Sequence, residues 1–182
     1  MRGVAAGRGL SLVELLAVVA ILGGLALVAL PGLSAGDPEK LDRAAAEVAA
    51  AIRFARAEAQ RTGIEHGVEL NPGTQQLRLY RLDTGGGPTA VYDVRHPLDK
   101  RFYQLSFGSA PLLGGVRLQS AQFLYQGSAT ARSLVGFIAG GQPSHNDAGT
   151  QRLLSSGTAV LSYRGRQRTL LVTPLSGRVT VQ

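Results

Sequence analysis

The sequence predicts an α+β protein in which a long N-terminal helix, membrane-spanning in its first half and amphipathic in its second, packs on a β-rich antiparallel C-terminal domain. Three observations predict this fold. Residues 10–30 are a mainly apolar stretch with one charge, Glu14, apolar residues after Pro38 recur at helical spacing, and the chain past Gly63 changes to short apolar runs between turn residues. A change from helical to alternating period with short connections is typical of a helix beside an antiparallel sheet.

The apolar segment is long enough to cross a bilayer. As a helix, Leu10 to Leu30 would span roughly 30 Å, the thickness of a bilayer core. A carboxylate in such a segment costs about 2.5 to 3.5 kcal/mol at mid-depth, so we expect Glu14 to have a cationic partner. The leader before it, residues 1–9, contains two arginines and no acid, and a cut after Gly9 would create a free amine on Leu10.

These N-terminal residues resemble the signal of type IV prepilins and type II secretion pseudopilins. The resemblance rests on Arg8-Gly9, on Leu10–Leu16 and on Pro31. It implies that a prepilin peptidase cleaves after the glycine and methylates the new amine of Leu10. It also implies that Glu14 then pairs with the N-terminal amine of a neighbouring subunit as the filament assembles. The family usually has Phe after the cut, and Leu10 keeps that position apolar.

Two other interpretations of the segment are an ordinary secretory signal peptide and a plain membrane anchor. The apolar core of a signal peptide runs about 7 to 15 residues and ends at a small-x-small cleavage site. Here the apolar run is longer, and the nearest candidate cut, after Ala35, has Leu33 three residues before it. Both features favour the prepilin interpretation.

Composition bounds the chemistry of the remaining chain. The length of 182 residues leaves room for one modest domain after the leader and anchor. Cysteine is absent, which excludes disulfides and thiolate metal sites. The net charge of +7 favours acidic partners such as nucleic acid or anionic headgroups.

No catalytic or metal-binding pattern is apparent, so we expect neither an enzyme nor a cofactor. His66, His96 and His145 are scattered and lack the spacing of metal ligands. The run Ser144–Asp147 contains the residue types of a catalytic triad, but sequence neighbours in a loop cannot align a nucleophile, a base and an orienting acid.

A second helix is predicted over residues 38–62. Asp37 is a candidate N-cap ahead of Pro38, and Gly63 is a candidate C-cap. The apolar positions that fall on one helical face are Leu41, Ala45, Val48, Ile52, Ala55 and Ala59. This stripe favours packing on the protein's own sheet, with a partner-binding coiled coil as the alternative.

Past Gly63 the sequence predicts short strands joined by turns. Glycine-containing pairs and triplets separate the apolar runs, which favours antiparallel hairpins. Residues 142–157 are polar and small, and we expect a mobile loop there. The predicted strands are Ile64–Leu70, Gln76–Leu82, Thr89–Val94, Arg101–Leu105, Val116–Leu118, Leu134–Ile138, Thr158–Tyr163, Arg168–Thr173 and Arg178–Val181.

The C-terminal half looks like the GspH/FimT type of minor pseudopilin. The matching segments are Ala55–Ala59, Val135–Phe137, Gly141–Pro143, Arg168–Pro174 and Gly177–Val179. The resemblance implies a low-copy subunit near the tip of a pseudopilus or pilus, with other pilins or pseudopilins as partners. It implies an inner-membrane subunit with a single span and a periplasmic C-terminal domain. The expected organisation is a leader over 1–9, an assembly helix over 10–31, an amphipathic helix over 38–62 and a head over 63–182.

An arginine cluster near the C-terminus supports an alternative function. Arg164, Arg166 and Arg168 alternate, with Arg178 shortly after, and one strand face would present them to phosphates if no turn intervened. Members of the resembled family that bind DNA carry a Gly-Arg-x-Arg motif, which Gly165–Arg168 matches. This favours a pilus-borne DNA-binding subunit for DNA uptake. The other interpretation is that Arg164-Gly165 is a hairpin tip whose arginines are solvated.

Overall fold

The apolar N-terminal segment forms helix α1, Leu12–Ala29, with Glu14 in its first turn. The computed structural model describes residues 12–29, 37–109 and 113–182. The predicted cleavage site at Gly9-Leu10 and the matching Pro31 lie outside the described residues. Among the residues that are described, no helix is both long and apolar enough to cross a membrane. The predicted span over residues 10–31 extends past α1 at both ends.

The chain divides into two units, Met1–Asp37 and Pro38–Gln182. The second unit, which we call the head, begins with helix α2, Asp37–Thr62, close to the helix predicted over 38–62. The helix ends where Gly63 adopts a φ of +74°, a left-handed conformation that glycine allows without strain. The side chain of Asp37, the predicted N-cap, is outside the described side chains.

One face of α2 is buried against the head's own sheet. All six stripe positions predicted from the sequence are buried, while the charged side chains at positions 43, 47 and 53 are exposed. The helix therefore packs on its own sheet, and the coiled-coil alternative is wrong for this face. Much of the buried face is alanine. The buried residues of α2 are Leu41, Ala44, Ala45, Val48, Ala49, Ala51, Ile52, Ala55 and Ala59.

The rest of the head is antiparallel sheet. The described strands are β1 (His66–Asn71), β2 (Gln76–Asp83), β3 (Thr89–Val91), β4 (Gln104–Ser106), β5 (Arg117–Tyr125), β6 (Leu134–Phe137), β7 (Pro143–Asp147), β8 (Thr150–Tyr163), β9 (Arg166–Val172) and β10 (Val179–Val181). They are hydrogen-bonded in the order β10-β9-β8-β7-β6-β1-β2-β3, with β4 on β2 and β5 on β8. The α+β architecture predicted for the head is confirmed.

The long strand β8 changes partners along its length. Its first residues, 150–153, pair with β7, and residues 157–162 lie between β5 and β9. The two parts of the sheet are thus joined through one continuous strand.

The prediction of a loop over residues 142–157 is wrong, because this segment forms the hairpin of β7 with the first half of β8. Ala148 and Gly149 turn the chain with φ of 48° and 91°. β7 pairs with β6 on one side and β8 on the other, so backbone pairing holds a segment of low apolar content. Gly157, predicted to be in a turn, is instead within β8. A Cβ there would lie 2.9 Å from the ring of Phe123, so close packing explains this glycine.

Candidate functional site

The arginine cluster predicted as a DNA-binding site lies on the hairpin of β8 and β9. Tyr163 pairs with Arg166 across the hairpin, and Arg164 and Gly165 form its turn with φ of 46° and 79°. Two consecutive residues with positive φ are typical of a tight hairpin turn. The turn therefore separates Arg164 from Arg166 and Arg168, and the prediction of three arginines on one strand face is wrong. Arg164 is in the turn, whereas Arg166 and Arg168 are both on β9.

Arg168 ties this hairpin to the start of α2. Its Nε donates to Oδ1 of Asp42 at 2.6 Å, a contact between residues 126 positions apart. The alternation of β9 places Arg166 on the same face, and its side chain is exposed. The ion pair partly neutralises Arg168, so Arg166 is the more accessible of the two guanidinium groups.

Arg178 lies apart from the other three arginines. Its carbonyl accepts a hydrogen bond from the amide of Thr173, and the next residue, Val179, pairs with the buried Val172. Because successive residues of an extended segment face opposite ways, Arg178 is on the other side of the sheet from Arg168. The structure does not bring the four predicted arginines to one surface.

The fold adds two cations to the hairpin that sequence spacing did not indicate. Lys40 Nζ lies 5.8 Å from the ring centroid of Tyr163, and the guanidinium carbon of Arg164 lies 5.5 Å from it. Arg117, the exposed first residue of β5, pairs with Ser162 beside the turn. We call this surface the hairpin pole; it comprises Lys40, Asp42, Arg117, Arg164, Arg166 and Arg168.

A groove of about 480 Å³ lies at the other end of α2. Its carboxylates are engaged by arginines: Arg61 pairs with Glu58 at 2.6 Å and Arg81 with Asp93 at 2.8 Å. Hydrogen bonds from these guanidinium groups lower the pKa of both carboxylic acids. Both acids are therefore held in the charged, paired form that suits a structural role better than proton transfer. The remaining lining includes Phe54, Thr62, His66, Val94, His96 and Lys100.

A buried carboxyl group lies in the connection between α2 and β1, at Glu65, which is 8% exposed. Removal from water raises the pKa of Glu65 to about 7. Gln151 donates to its Oε2 at 3.3 Å, while Glu65 Oε1 and the hydroxyl of Tyr80 have no hydrogen-bond partner in the described part of the chain. Sequence reasoning missed this residue because a single Glu before a strand carries no periodic signal.

The histidines do not converge. His66 is buried on β1, His96 packs edge-on to Tyr103, and His145 lies beside Tyr125 on β7. Within ranges 12–29, 37–109 and 113–182, no group of three or more histidine or acidic side chains could hold a metal ion. Residues 144–147 form part of a strand, so consecutive members face opposite ways and cannot act as a triad.

Comparison with known proteins supports the fold assignment. No protein-family model matches the sequence, and the search of curated proteins finds no match. Among solved structures, the minor pseudopilin EpsH from the Type 2 Secretion System of Vibrio cholerae matches with a TM-score of 0.50 and 15% identity, over 79% of this chain and 96% of that chain. A second EpsH structure gives a TM-score of 0.50 and 14% identity, covering 79% and 93%. The type IV minor pilin FimU of Pseudomonas aeruginosa gives 0.46 and 18%, covering 81% and 91%.

The chain therefore has the fold of a minor pseudopilin, as the resemblance to the GspH/FimT type predicts.

Proposed function

We propose that this protein is a minor pilin-like subunit of a type II secretion pseudopilus or a type IV pilus, acting in filament initiation or at the tip. The observation that carries the proposal is the match between the head and EpsH, with α2 laid on an antiparallel sheet. The apolar segment with its single carboxylate, which precedes this head, is a second and independent support.

The proposed mechanism is assembly without substrate turnover. Residues 10–31 hold the subunit in the inner membrane as a single span, with the head in the periplasm. The prepilin peptidase cleaves between Gly9 and Leu10 and methylates the amine of Leu10. Glu14 then pairs with the amine of a neighbouring subunit, and the apolar surroundings strengthen that attraction because they screen it poorly.

The mass of the mature protein tests the processing step. Protein extracted from membranes should lack residues 1–9 and carry one added methyl group on Leu10. Intact-mass spectrometry measures both changes at once. A chain cut near Ala35, or one that keeps its leader, contradicts the proposal.

The substitution Glu14→Ala tests assembly separately from membrane insertion. Removal of a charge that is unfavourable in lipid should leave insertion equal or better, whereas recruitment into sheared filaments should fail. Glu39→Ala, at an exposed position of α2, removes the same charge outside the proposed span and is the matched control. Recovery of the Glu14 variant in filaments at the control level would refute this role.

The sequence motif favours the DNA-binding alternative, but the geometry favours it less. The motif Gly165–Arg168 leaves Arg166 accessible, but Arg168 is paired with Asp42 and Arg178 is on the opposite face. A structural subunit is therefore the preferred function, and DNA binding is measured alongside the experiment on the hairpin pole below.

A further inference from the structure

The hairpin pole concentrates positive charge at one end of the head. Lys40, Arg117 and Arg166 are exposed there, beside Arg164 in the turn. Asp42 is engaged by Arg168, and Glu39 is the other described carboxylate on the first turns of α2. Cations therefore outnumber acids on this surface. Guanidinium groups have the donor geometry that suits phosphate oxygens.

This pole is also the part of the head tethered to the apolar segment. Lys40 follows Leu30 by ten residues in the sequence, so the start of α2 is the part of the head that the chain reaches first after the apolar segment. The contact of Asp42 with Arg168 holds the hairpin beside the same stretch of α2. By contrast, Arg61 is separated from Lys40 by about 32 Å of helix. Of the two ends of α2, the one beside the hairpin pole is the nearer in sequence to the apolar segment.

We propose that the hairpin pole binds the anionic phospholipid headgroups of the membrane that anchors the subunit. The inference rests on the proposed function, because it needs residues 10–31 in the bilayer. Headgroup binding holds the unassembled head against the membrane, and its release accompanies entry into a filament.

A lipid surface fits these residues better than a nucleic acid. Arg117 and Arg166 project from opposite faces of the hairpin, and Arg164 is at its tip. With cations on both faces and at the tip, the end of the hairpin can contact a flat anionic surface. A DNA duplex is contacted better by cations that lie along one face of a protein. The end-on arrangement and the tether point to the same partner.

Vesicle binding by the head, residues 38–182, tests the proposal. The head is suitable because every residue of its buried core cluster lies within this range. The probe is a vesicle of equal parts phosphatidylglycerol and phosphatidylcholine, compared with phosphatidylcholine alone. Each basic residue near an anionic surface strengthens binding about fivefold, so Lys40→Gln with Arg166→Gln should weaken it about 25-fold. Added salt should weaken wild-type binding further.

The matched control is Lys100→Gln with Arg101→Gln, two exposed residues in the loop beside the groove at the other end of α2. This variant should bind the anionic vesicles as the wild type does, and both double variants should unfold at the wild-type temperature. The proposal is overturned if the wild-type head ignores anionic vesicles, or if the control loses as much binding as the pole variant. Binding to a DNA duplex in preference to the vesicles overturns it in favour of nucleic acid.

Alkaline washing of membranes that contain the full chain tests the anchor separately. A full chain that washes off while the head still binds anionic vesicles contradicts the proposed membrane anchor and leaves the lipid-binding pole intact. A full chain that resists washing, together with a head that ignores the vesicles, supports the membrane anchor and contradicts the lipid-binding pole.

Discussion

Two regions of the head contrast in what their residues must do. At the start of β1, the ring of Tyr80 covers the positions where Gly67 and Gly136 would carry side chains, with Glu65 buried beside them. We call these four residues the glycine seam. The hairpin pole is instead open to solvent. Its residues Lys40, Arg117 and Arg166 are exposed, so other side chains would fit in their place. The seam is constrained by volume and desolvation, whereas the pole is constrained by charge. Substitutions in the seam should therefore change stability, and substitutions in the pole should change binding.

The largest effect is expected from Gly67→Ala. The new Cβ would overlap the Tyr80 ring and lie 2.5 Å from the carbonyl oxygen of Val135, which belongs to a paired strand and cannot move away. Overpacking of this kind should lower the free energy of unfolding by about 3 kcal/mol. Gly86→Ala is the control, because a Cβ there meets nothing within 4 Å. Denaturant unfolding of the head measures both variants, and equal stability would show that the seam is looser than described.

The next effect is the pH dependence of stability set by Glu65. Its pKa is about 7 in the folded head, above the ordinary value of 4.5, so the folded state binds the proton more tightly than the unfolded chain. Stability should be highest below about pH 4.5 for this group and fall as pH rises towards 7. Glu65→Gln removes the titration and should stabilise the head by about 2 kcal/mol above pH 7, because the amide keeps part of the desolvation cost.

Thermal unfolding of the head across this pH range measures the difference. The control is Glu39→Gln, an exposed carboxylate whose loss should leave the pH profile unchanged. If the stability of the Glu65→Gln variant and that of the wild type change with pH in parallel, the carboxyl group of Glu65 is not desolvated in the folded head.

The smallest effect on stability is expected from Asp42→Asn in the pole. The ion pair with Arg168 is about half exposed on both sides, so its loss should cost less than about 1 kcal/mol. The same change frees Arg168 and should strengthen binding to anionic vesicles a few-fold. The control is Asp99→Asn, which makes the same change in the loop beside the groove at the other end of α2. A large loss of stability, or weaker vesicle binding, would contradict the division between the two regions.

The parts of the fold that were predicted correctly depend on local patterns. The apolar stripe of α2 and its end at Gly63 follow from neighbours three and four residues apart. The turn at Arg164-Gly165 was one of two alternatives, since a tight turn also has a local sequence preference. By contrast, the hairpin over residues 142–157 pairs with β6, and the polar composition of the hairpin itself does not indicate a strand. A polar segment in the interior of a sheet looks like a loop until its neighbours are known.

The site residues also divide into those that the local sequence indicated and those that only the fold brings together. The alternating arginines were visible as a run, but their separation by the turn and the pairing of Arg168 with Asp42 are products of the fold. Lys40 and Arg117 join the pole from other elements, and nothing near them in the sequence indicates this. Glu65 is buried because β7 and β8 cover it through Gln151, a contact across 86 positions.

The position of the last strands has a consequence for how the head is made. Leu170 and Val172 of β9 and Val179 before the C-terminus belong to the same buried cluster as the face of α2. About 100 positions separate the end of α2 at Thr62 from the start of β9. Contacts so distant in sequence form slowly, and they form only after β9 and β10 have been synthesised. The newly made chain therefore carries a partly uncovered helix face until β9 and β10 have been made.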